Sequence, residues 1–530
     1  MKIVIAEKTS PAAVALFREE PKWMVVTADQ INSNLAEHVA DADALVVRSA
    51  VEVNAALLEH AGKLRVIGRA GVGVDNIDLE AATRHGIAVM NTPGANAVAV
   101  AEHTFALMLA LARQLSRADS TTRAGKWEKK SLQGSELKGK KLGVVGLGRV
   151  GLEVARRARA FAMEVMAHDP FIAVTIAREL GIQLATLDEV YAAADYLTLH
   201  VGLTPQTTGM INEASLAKMK PGVRIINCAR GELIHEAALA AALQSGRAAG
   251  AALDVFAEEP PKNSPLLALP NVIATPHIAG STHEAQEAVG MQIAMQVKEY
   301  LKHGVIQNAV NVPSLTHDEY VEMQPYMVLA ERLGAFLAQS AEGSLKEVSL
   351  RYSGRMAEWK TELLRNAAIK GLLSRSLSER ANLVNAASLA EELGLRIHEA
   401  KKAKAPGGGA GNVLSILVKT DQQEVLVKGA VLHGASPRLL GVDDIDVEAP
   451  LERHIIYLRN RDVPGVIGRV GTILGAHQVN IANFALGREE RDSNQRNAIA
   501  VIQVDSPVPE AALQELRGFE AITFAKAMRF

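Results

Sequence analysis

A chain of 530 residues carries 57 Lys plus Arg against 59 Asp plus Glu, a net charge of −2, with 48% hydrophobic and 22% charged residues. That balance excludes a disordered or fibrous protein and gives no reason to expect nucleic acid or an anionic lipid surface as partner. One cysteine, Cys228, excludes an internal disulfide framework and any cysteine-built zinc site, and no metal is expected.

At roughly 150 residues per domain the length predicts three to four domains. Glu7 and Lys8 stand just behind a four-residue apolar run, so no signal-peptide core is expected. No stretch reaches the ~18 uncharged apolar residues that span a bilayer, and the expectation is a cytoplasmic protein off the membrane. Short apolar runs at Lys2–Ala6, Trp23–Val26, Ala44–Val47, Val66–Gly68 and Ala88–Met90 read as buried strands. Helix-like stretches such as Pro11–Glu19 and Ile77–His85 separate them, the rhythm of a parallel sheet covered on both faces. A single long helical pattern runs from Ala97 to Arg123, and its apolar part Thr104–Leu115 reads either as a dimer contact or as internal core.

The alternation then restarts, with strands at Lys141–Val145, Glu164–His168, Tyr196–His200, Arg224–Asn227, Ala249–Asp254 and Val272–Thr275. Helices are expected at Gly151–Phe161 and Ala173–Leu180, and a last one runs from Ser281 to His303 with Gly304 as C-cap. Pro313 and the polar run Ser314–Glu322 read as a linker, followed by mixed α and β from Gln324 to Asp446, broken by a glycine loop at Gly407–Gly411. The segment Arg453–Phe530 has the order β-α-β-β-α-β, a ferredoxin-like topology.

The sharpest motif is Gly146-Leu147-Gly148-Arg149-Val150-Gly151, placed between a strand and a helix as a dinucleotide fingerprint requires. Gly146 permits the tight turn, Gly148 lets amides approach a pyrophosphate, and Gly151 lets helix pack on strand. The diphosphate would sit at a helix N-terminus. Asp169, 18 residues past Gly151, would accept from the adenosine ribose and repel a 2′-phosphate, which favours NAD over NADP. A second set, Gly68-Arg69-Ala70-Gly71-Val72-Gly73, lacks the fingerprint spacing and reads as a loop near a ligand or as a plain turn.

Three residues downstream suggest hydride chemistry. Arg230 follows a strand and suits a substrate carboxylate, bidentately. His277, also at a strand's carboxyl edge, is suited to take a hydroxyl proton as hydride leaves the same carbon. Glu259 is placed to hold that imidazole in one tautomer and raise its basicity. Singly, each also reads as a surface charge or a solvated turn. Their joint position at strand ends after a cofactor fingerprint favours the catalytic reading.

With these residues assembled, the chain resembles the D-isomer-specific 2-hydroxyacid dehydrogenases, and within them the long D-3-phosphoglycerate dehydrogenases. The matching segments are Gly68 to Asn76, Asn91-Thr92-Pro93 with Asn96, Gly146 to Gly151, Asn227 to Gly231, Asp254 to Pro260 and Thr275-Pro276-His277. The resemblance implies an α/β protein with two doubly wound parallel-sheet domains, a substrate-binding domain (1–96 and 285–312) and a Rossmann NAD domain (97–284). A mixed α+β intervening domain (315–450) and a ferredoxin-like ACT domain (453–530) would follow. It implies NAD as cofactor, held by the fingerprint with Arg149 and Val150, by Asp169, by Cys228 and Ala229, by Asp254 at the nicotinamide end, and by Gly280. Arg230, Glu259 and His277 would be catalytic. Arg48, Ser49, Gly71, Val72 and Asn96 would line the substrate pocket.

The basic run containing Lys129 resembles a segment that reaches a partner subunit's phosphate pocket, or is a solvated loop. Asn460, Asp462 and Asn480 match positions that bind L-serine in feedback-controlled members, or form an interface without a ligand. Val72, Val201, Glu232, His235, the Ala279-Gly280 order and Asn460 depart from the commoner family residues. The expected reaction is NAD-dependent oxidation of D-3-phosphoglycerate to 3-phosphohydroxypyruvate, the first step of L-serine synthesis, by a homodimer or homotetramer. The alternatives are another D-2-hydroxy acid, such as 2-hydroxyglutarate or glycerate, or a NAD-sensing regulatory protein.

Overall fold

In a computed structural model, which describes residues 1–31, 34–377, 381–403, 411–434, 436–489 and 496–530, the chain forms four sheets. The first is five parallel strands in the order Met24–Val26, Lys2–Ile5, Ala44–Val47, Val66–Arg69, Ala88–Met90. Every residue of Ala44–Val47 and Ala88–Met90 is buried, as continuous apolar runs require when helices cover both faces. Its helices begin on local signals. Ser10 caps Pro11–Arg18 by accepting from the Ala13 amide at 3.2 Å, and Asp78 caps Leu79–Arg84 in the same way at 2.9 Å.

The second sheet has seven parallel strands in the order Val272–Ala274, Ala248–Leu253, Val223–Asn227, Tyr196–Leu199, Lys141–Val145, Glu164–His168, Gln183–Leu184. The chain enters at Lys141–Val145, builds outward to one edge, then returns to build the other. The order therefore reverses between Lys141–Val145 and Tyr196–Leu199, the switch point where open α/β sheets leave a crevice beyond their strand ends.

Two helices join these sheets. The pattern Ala97–Arg123 is not one helix but two, Ala97–Arg113 and Leu115–Arg123, which meet at 64° around Gln114 in the left-handed conformation (φ 51°). The first carries buried Thr104, Phe105, Leu107, Met108 and Ala112, and the second buries nothing, so the chain turns where its apolar face ends. Five of the twelve residues Thr104–Leu115 are thus core of this chain, with Phe105 stacked on Phe161 at 5.2 Å, while Ala106, Arg113 and Leu115 are exposed. The helix His283–His303, capped by Thr282 and ended by Gly304 (φ 75°), returns to the first sheet. It lays Ile293 and Val297 on Gly68, where a Cβ would stand 2.8 Å from each.

The stretch expected as a linker is mostly helix. His317–Ser340 starts inside it, because Thr316 and Glu319 form a capping box: the Thr316 amide donates to Glu319 Oε2 at 2.7 Å and the Glu319 amide to Thr316 Oγ1 at 3.2 Å. This helix and Glu362–Leu377 cover one face of a mixed six-stranded sheet ordered Arg396–Lys402, Leu345–Ser353, Val413–Thr420, Glu424–Leu432, Ser436–Val442, Ile445–Pro450. They cross at glycines: a Cβ on Gly334 would lie 2.1 Å from the Ala368 carbonyl oxygen, and one on Gly371 would lie 2.0 Å from that of Glu331. Of the expected loop Gly407–Gly411, residues 407–410 lie outside the described residues. The last sheet, Ile481–Arg488, Asn497–Val504, His454–Arg461, Ile522–Arg529, is antiparallel and carries the helices Val466–Ala476 and Glu510–Arg517. It docks through Tyr457 on Phe336, with ring centroids 5.0 Å apart, and through Arg459 on Asp443 at 2.9 Å.

Among the described residues no single helix is long and apolar enough to cross a membrane. The glycine crossing is testable by thermal denaturation of the full chain. Gly334→Val pushes two backbones apart and should destabilise the unit built on residues 317–450 by about 1–3 kcal/mol. An unchanged melting profile would contradict that packing.

Candidate active site

The fingerprint lies at the switch point. Gly146 (φ 92°) passes so close to the next strand exit that a Cβ would meet the His200 carbonyl oxygen at 2.6 Å. A Cβ on Gly151 would stand 2.0 Å from the Gly146 carbonyl oxygen, which ties helix Arg149–Ala160 tightly to its strand. At Gly148 nothing lies within 4 Å of a Cβ, and this N-cap residue has no side chain to occupy the first-turn amides. Open space in front of uncapped amides is what a pyrophosphate needs. Asp169 follows the neighbouring strand: its Oδ2 accepts from the Leu147 amide at 2.7 Å, and Oδ1 accepts from the Phe171 and Ile172 amides at 2.8 and 3.2 Å. The carboxylate therefore holds the glycine loop and stands beside it, where a ribose fits. Val150 is half-buried behind the loop. Arg149 reaches out of the sheet, and its guanidinium donates to the Pro93 carbonyl of the first domain.

The His277 loop rests on Asp254, which is fully buried. Its Oδ1 accepts from Thr275 Oγ1 at 2.6 Å and the Ile278 amide at 2.9 Å, its Oδ2 accepts from the Ala279 amide at 2.8 Å, and His103 Nε2 lies 3.4 Å away. Burial alone would raise this carboxyl, but the bonds from His103, Thr275 and the two amides outweigh it and hold it below the usual carboxylate range. Asp254, expected at the nicotinamide end, is bonded through both oxygens to the loop that carries His277. That loop holds His277 in the left-handed conformation (φ 53°), its amide donating to the Asp254 carbonyl at 2.9 Å. The imidazole Nδ1 lies 2.7 Å from Glu259 Oε2, so Nδ1 donates to the carboxylate and Nε2 is left to exchange a proton. Glu259 is itself fixed by the Phe256 amide at 3.1 Å.

One strand over, the buried Asn227 ties the Cys228–Arg230 turn, accepting from the Ala229 amide at 3.0 Å and donating to the Arg230 carbonyl at 2.7 Å. Burial pushes the Cys228 thiol up to about 12, so it is a neutral packing group. Gly231 touches the Phe256 backbone, where a Cβ would stand 1.9 Å from its carbonyl carbon, and so joins the arginine turn to the Glu259 turn.

The opposite wall comes from the first domain. Glu7 accepts from the Arg48 and Val51 amides at 2.8 and 3.1 Å, and Asn76 donates to the Arg48 and Val51 carbonyls at 3.0 and 2.7 Å. These bonds knot the Arg48–Ser49 loop, with Ser49 exposed, to the Gly71–Asn76 segment. Val72 is partly exposed, and its carbonyl accepts from Asn91 at 2.6 Å. Gly71 (φ 152°) leaves room for the Arg69 guanidinium, since a Cβ there would stand 1.4 Å from it. Arg69 was not singled out from sequence. It is largely buried, its Nε has no partner, and burial followed by the charge of Arg230 lowers its pKa. Asn96 Oδ1 is likewise buried and unbonded, next to Gly280, where a Cβ would lie 2.9 Å from Asn96 Nδ2. Two buried polar atoms without a partner therefore lie on this wall.

Not every expected residue joins this cleft. Lys129 is exposed in a segment fastened to the far end of helix Ala97–Arg113, where the Ser135 amide donates to the Ala112 carbonyl at 2.9 Å. That 17-residue helix puts about 25 Å between it and Asn96. In the last domain, Asn460 and Asp462 line one cavity of about 450 Å³ together with Val463, Gly465, Phe484 and Arg488. Asn460 is buried, and its Oδ1 has no partner. Asn480 does not join them. It donates to Asp505 at 2.5 Å, beyond the His454↔Val504 end of a strand about 25 Å long whose other end carries Asn460.

Comparison with known proteins bears on this arrangement. Residues 105–279 match the model of the D-isomer specific 2-hydroxyacid dehydrogenase NAD binding domain, residues 322–443 the D-3-phosphoglycerate dehydrogenase intervening domain, and residues 454–521 the ACT domain. D-3-phosphoglycerate dehydrogenase of Methanocaldococcus jannaschii is 41% identical over 98% of this chain and 97% of its own length. Among solved structures, the TT0316 protein of Thermus thermophilus aligns over 57% of this chain and 97% of its own, with 35% identity and a TM-score of 0.52. D-lactate dehydrogenase from Aquifex aeolicus, complexed with NAD and lactic acid, aligns over 59% of this chain and 100% of its own, with 30% identity and a TM-score of 0.51. The chain belongs to the D-isomer specific 2-hydroxyacid dehydrogenases and, within them, to the D-3-phosphoglycerate dehydrogenase family in the form that ends in intervening and ACT domains.

Proposed function

We propose that this chain oxidises D-3-phosphoglycerate to 3-phosphohydroxypyruvate with NAD, the entry step to L-serine. The observation that carries the reading is the His277–Glu259 pair at 2.7 Å, set at the strand ends beside Arg230 in a chain whose full length matches D-3-phosphoglycerate dehydrogenases. Residues 1–96 with 285–312 would bind substrate, and residues 97–284 would bind the dinucleotide.

Bound NAD would supply the hydride acceptor for substrate C2. The residues that would hold it are the fingerprint glycines, with Asp169 on the ribose. Arg230 binds the substrate carboxylate through its planar fork. His277 Nε2 takes the C2 hydroxyl proton, while the Glu259 carboxylate stabilises the imidazolium that results. Arg48 and Arg69 offer positive charge to the phosphate, and the unbonded Asn96 Oδ1 offers an acceptor. Most of the acceleration then comes from positioning. Two features support an effector of amino-acid size at the ACT domain: the cavity of about 450 Å³ and its unbonded Asn460 oxygen. L-serine is the proposed ligand. The acting unit is proposed to be a homodimer or homotetramer in the cytoplasm, with Lys129 serving a partner subunit's pocket.

Three measurements test this reading. NADH formation from D-3-phosphoglycerate should fall at least ~100-fold in kcat for His277→Ala, and a loss under about tenfold would remove His277 from acid–base work. Asp169→Ala should raise the KM for NAD and narrow the preference over NADP, and an unchanged ratio of the two cofactors would displace Asp169 from the ribose. Millimolar L-serine should lower the velocity of wild type and lose its effect in Asn460→Ala. A flat wild-type response would discard the effector.

A further inference from the structure

Arg230 is held from two sides. Its Nε and Nη2 lie 3.1 and 3.0 Å from Asp75 Oδ2, and Nη1 donates to the carbonyl of Ala229 at 2.7 Å. A guanidinium has five N–H groups in one plane. Asp75 engages the side edge formed by Nε and Nη2, and Ala229 takes one hydrogen of Nη1. Nη2 approaches Asp75 as an ion pair only, so each terminal nitrogen keeps at least one N–H, and the tip lies between those two nitrogens. That tip is a fork of the shape a carboxylate fits.

The two partners come from different sheets, 155 residues apart in the chain. Asp75 belongs to the segment that follows Val66–Arg69, and Arg230 follows Val223–Asn227. Gly73 makes the approach feasible, since a Cβ there would stand 1.9 Å from Arg230 Nη2 and 2.7 Å from Asp75 Oδ2. The plainer reading is a surface ion pair of little consequence, because the Asp75 side chain is 66% exposed. Against it stand the approach to one edge only and the position of Arg230 at a carboxyl strand end of the same sheet as the His277 loop, with one strand between them.

We infer that Asp75 is a positioning residue for the carboxylate clamp, holding the side edge of Arg230 so that its tip serves the cleft. Because Asp75 comes from the other domain, the clamp is aimed only while the two domains keep this arrangement. This rests on the reading above, in which Arg230 grips the substrate carboxylate.

The test is a double-mutant cycle on the full chain, by steady-state kinetics with D-3-phosphoglycerate and NAD. Asp75→Ala should raise the KM for the hydroxy acid about fivefold, the upper end of what an exposed ion pair supplies. The KM for NAD and the melting temperature should not move. Asp75→Asn, which keeps an acceptor oxygen, should recover part of the loss. In an Arg230→Ala background, Asp75→Ala should cost kcat/KM nothing more. A fall in KM for Asp75→Ala would mean that the carboxylate merely competes for the clamp, and would overturn the proposal. An equal loss in the Arg230→Ala background, or a matching rise in the KM for NAD, would overturn it too. A wild type that oxidises D-glycerate or D-2-hydroxyglutarate instead overturns the substrate reading alone. The cycle then runs on that acid, which carries the same 2-hydroxy carboxylate. A wild type that oxidises none of the three overturns both.

Discussion

The enclosed carboxylate of Asp254 is the constraint on which the cleft depends. An ionised group in the interior costs several kcal/mol unless its oxygens are fully bonded. Here the loop 275–279 and His103 supply those bonds, so that loop has little freedom to be anywhere else. The Asp254 amide is bonded to the Asn227 carbonyl, and the Asp254 carbonyl receives the His277 amide. Three adjacent strand ends are stitched together in this way. The two side chains proposed to cooperate, Arg230 from the Asn227 turn and His277 from the Asp254 loop, are thus set on a rigid scaffold rather than on free loops.

Around this scaffold the site is composite. The nucleotide domain contributes the glycine loop, Arg230, Glu259 and His277, and the first domain contributes Arg48, Arg69, Gly71, Asp75 and Asn96. Helix His283–His303 keeps the halves in register, because its Ile293 and Val297 seat on Gly68, in the strand that leads directly to Arg69 and Gly71. Among the described residues, the contacts named above for the cleft come from the first two domains. The remaining two modules are fastened to the rest through packing and polar contacts such as Tyr320 to the His303 carbonyl at 2.8 Å and Asn382 to the Gly86 carbonyl at 2.7 Å.

The α/β alternation, the ferredoxin-like tail, and the places of Gly146, Gly148 and Gly151 were legible from the chain, because strand periodicity and tight turns are local properties written in residue type. The turn at Gln114 was not, since a left-handed residue without glycine leaves no compositional mark. The start of helix His317–Ser340 was legible in principle, because Thr316 and Glu319 have the capping spacing, but the polarity around them suggested a linker. Arg230, Glu259 and His277 could be proposed from strand ends. Arg69 and Asp75 could not, because what distinguishes them is proximity to an arginine more than 150 residues away. The separation of Asn480 from Asn460, toward opposite ends of the strand His454–Arg461, is likewise not contained in any spacing rule.

Arg69 has a further consequence. It is a cation opposed both by its burial and by the neighbouring charge of Arg230, and its Nε lacks a partner. The carboxylates of Asp75 and Glu7 offset part of that cost, and an anion bound against this wall would offset more. Ionic strength therefore acts on this protein before any bond is broken. Dissolved salt shortens the reach of the field that draws an anion in, to about 8 Å under physiological conditions. Small multivalent anions in a buffer would then be drawn by the same pair of arginines, even when they bear no likeness to a hydroxy acid.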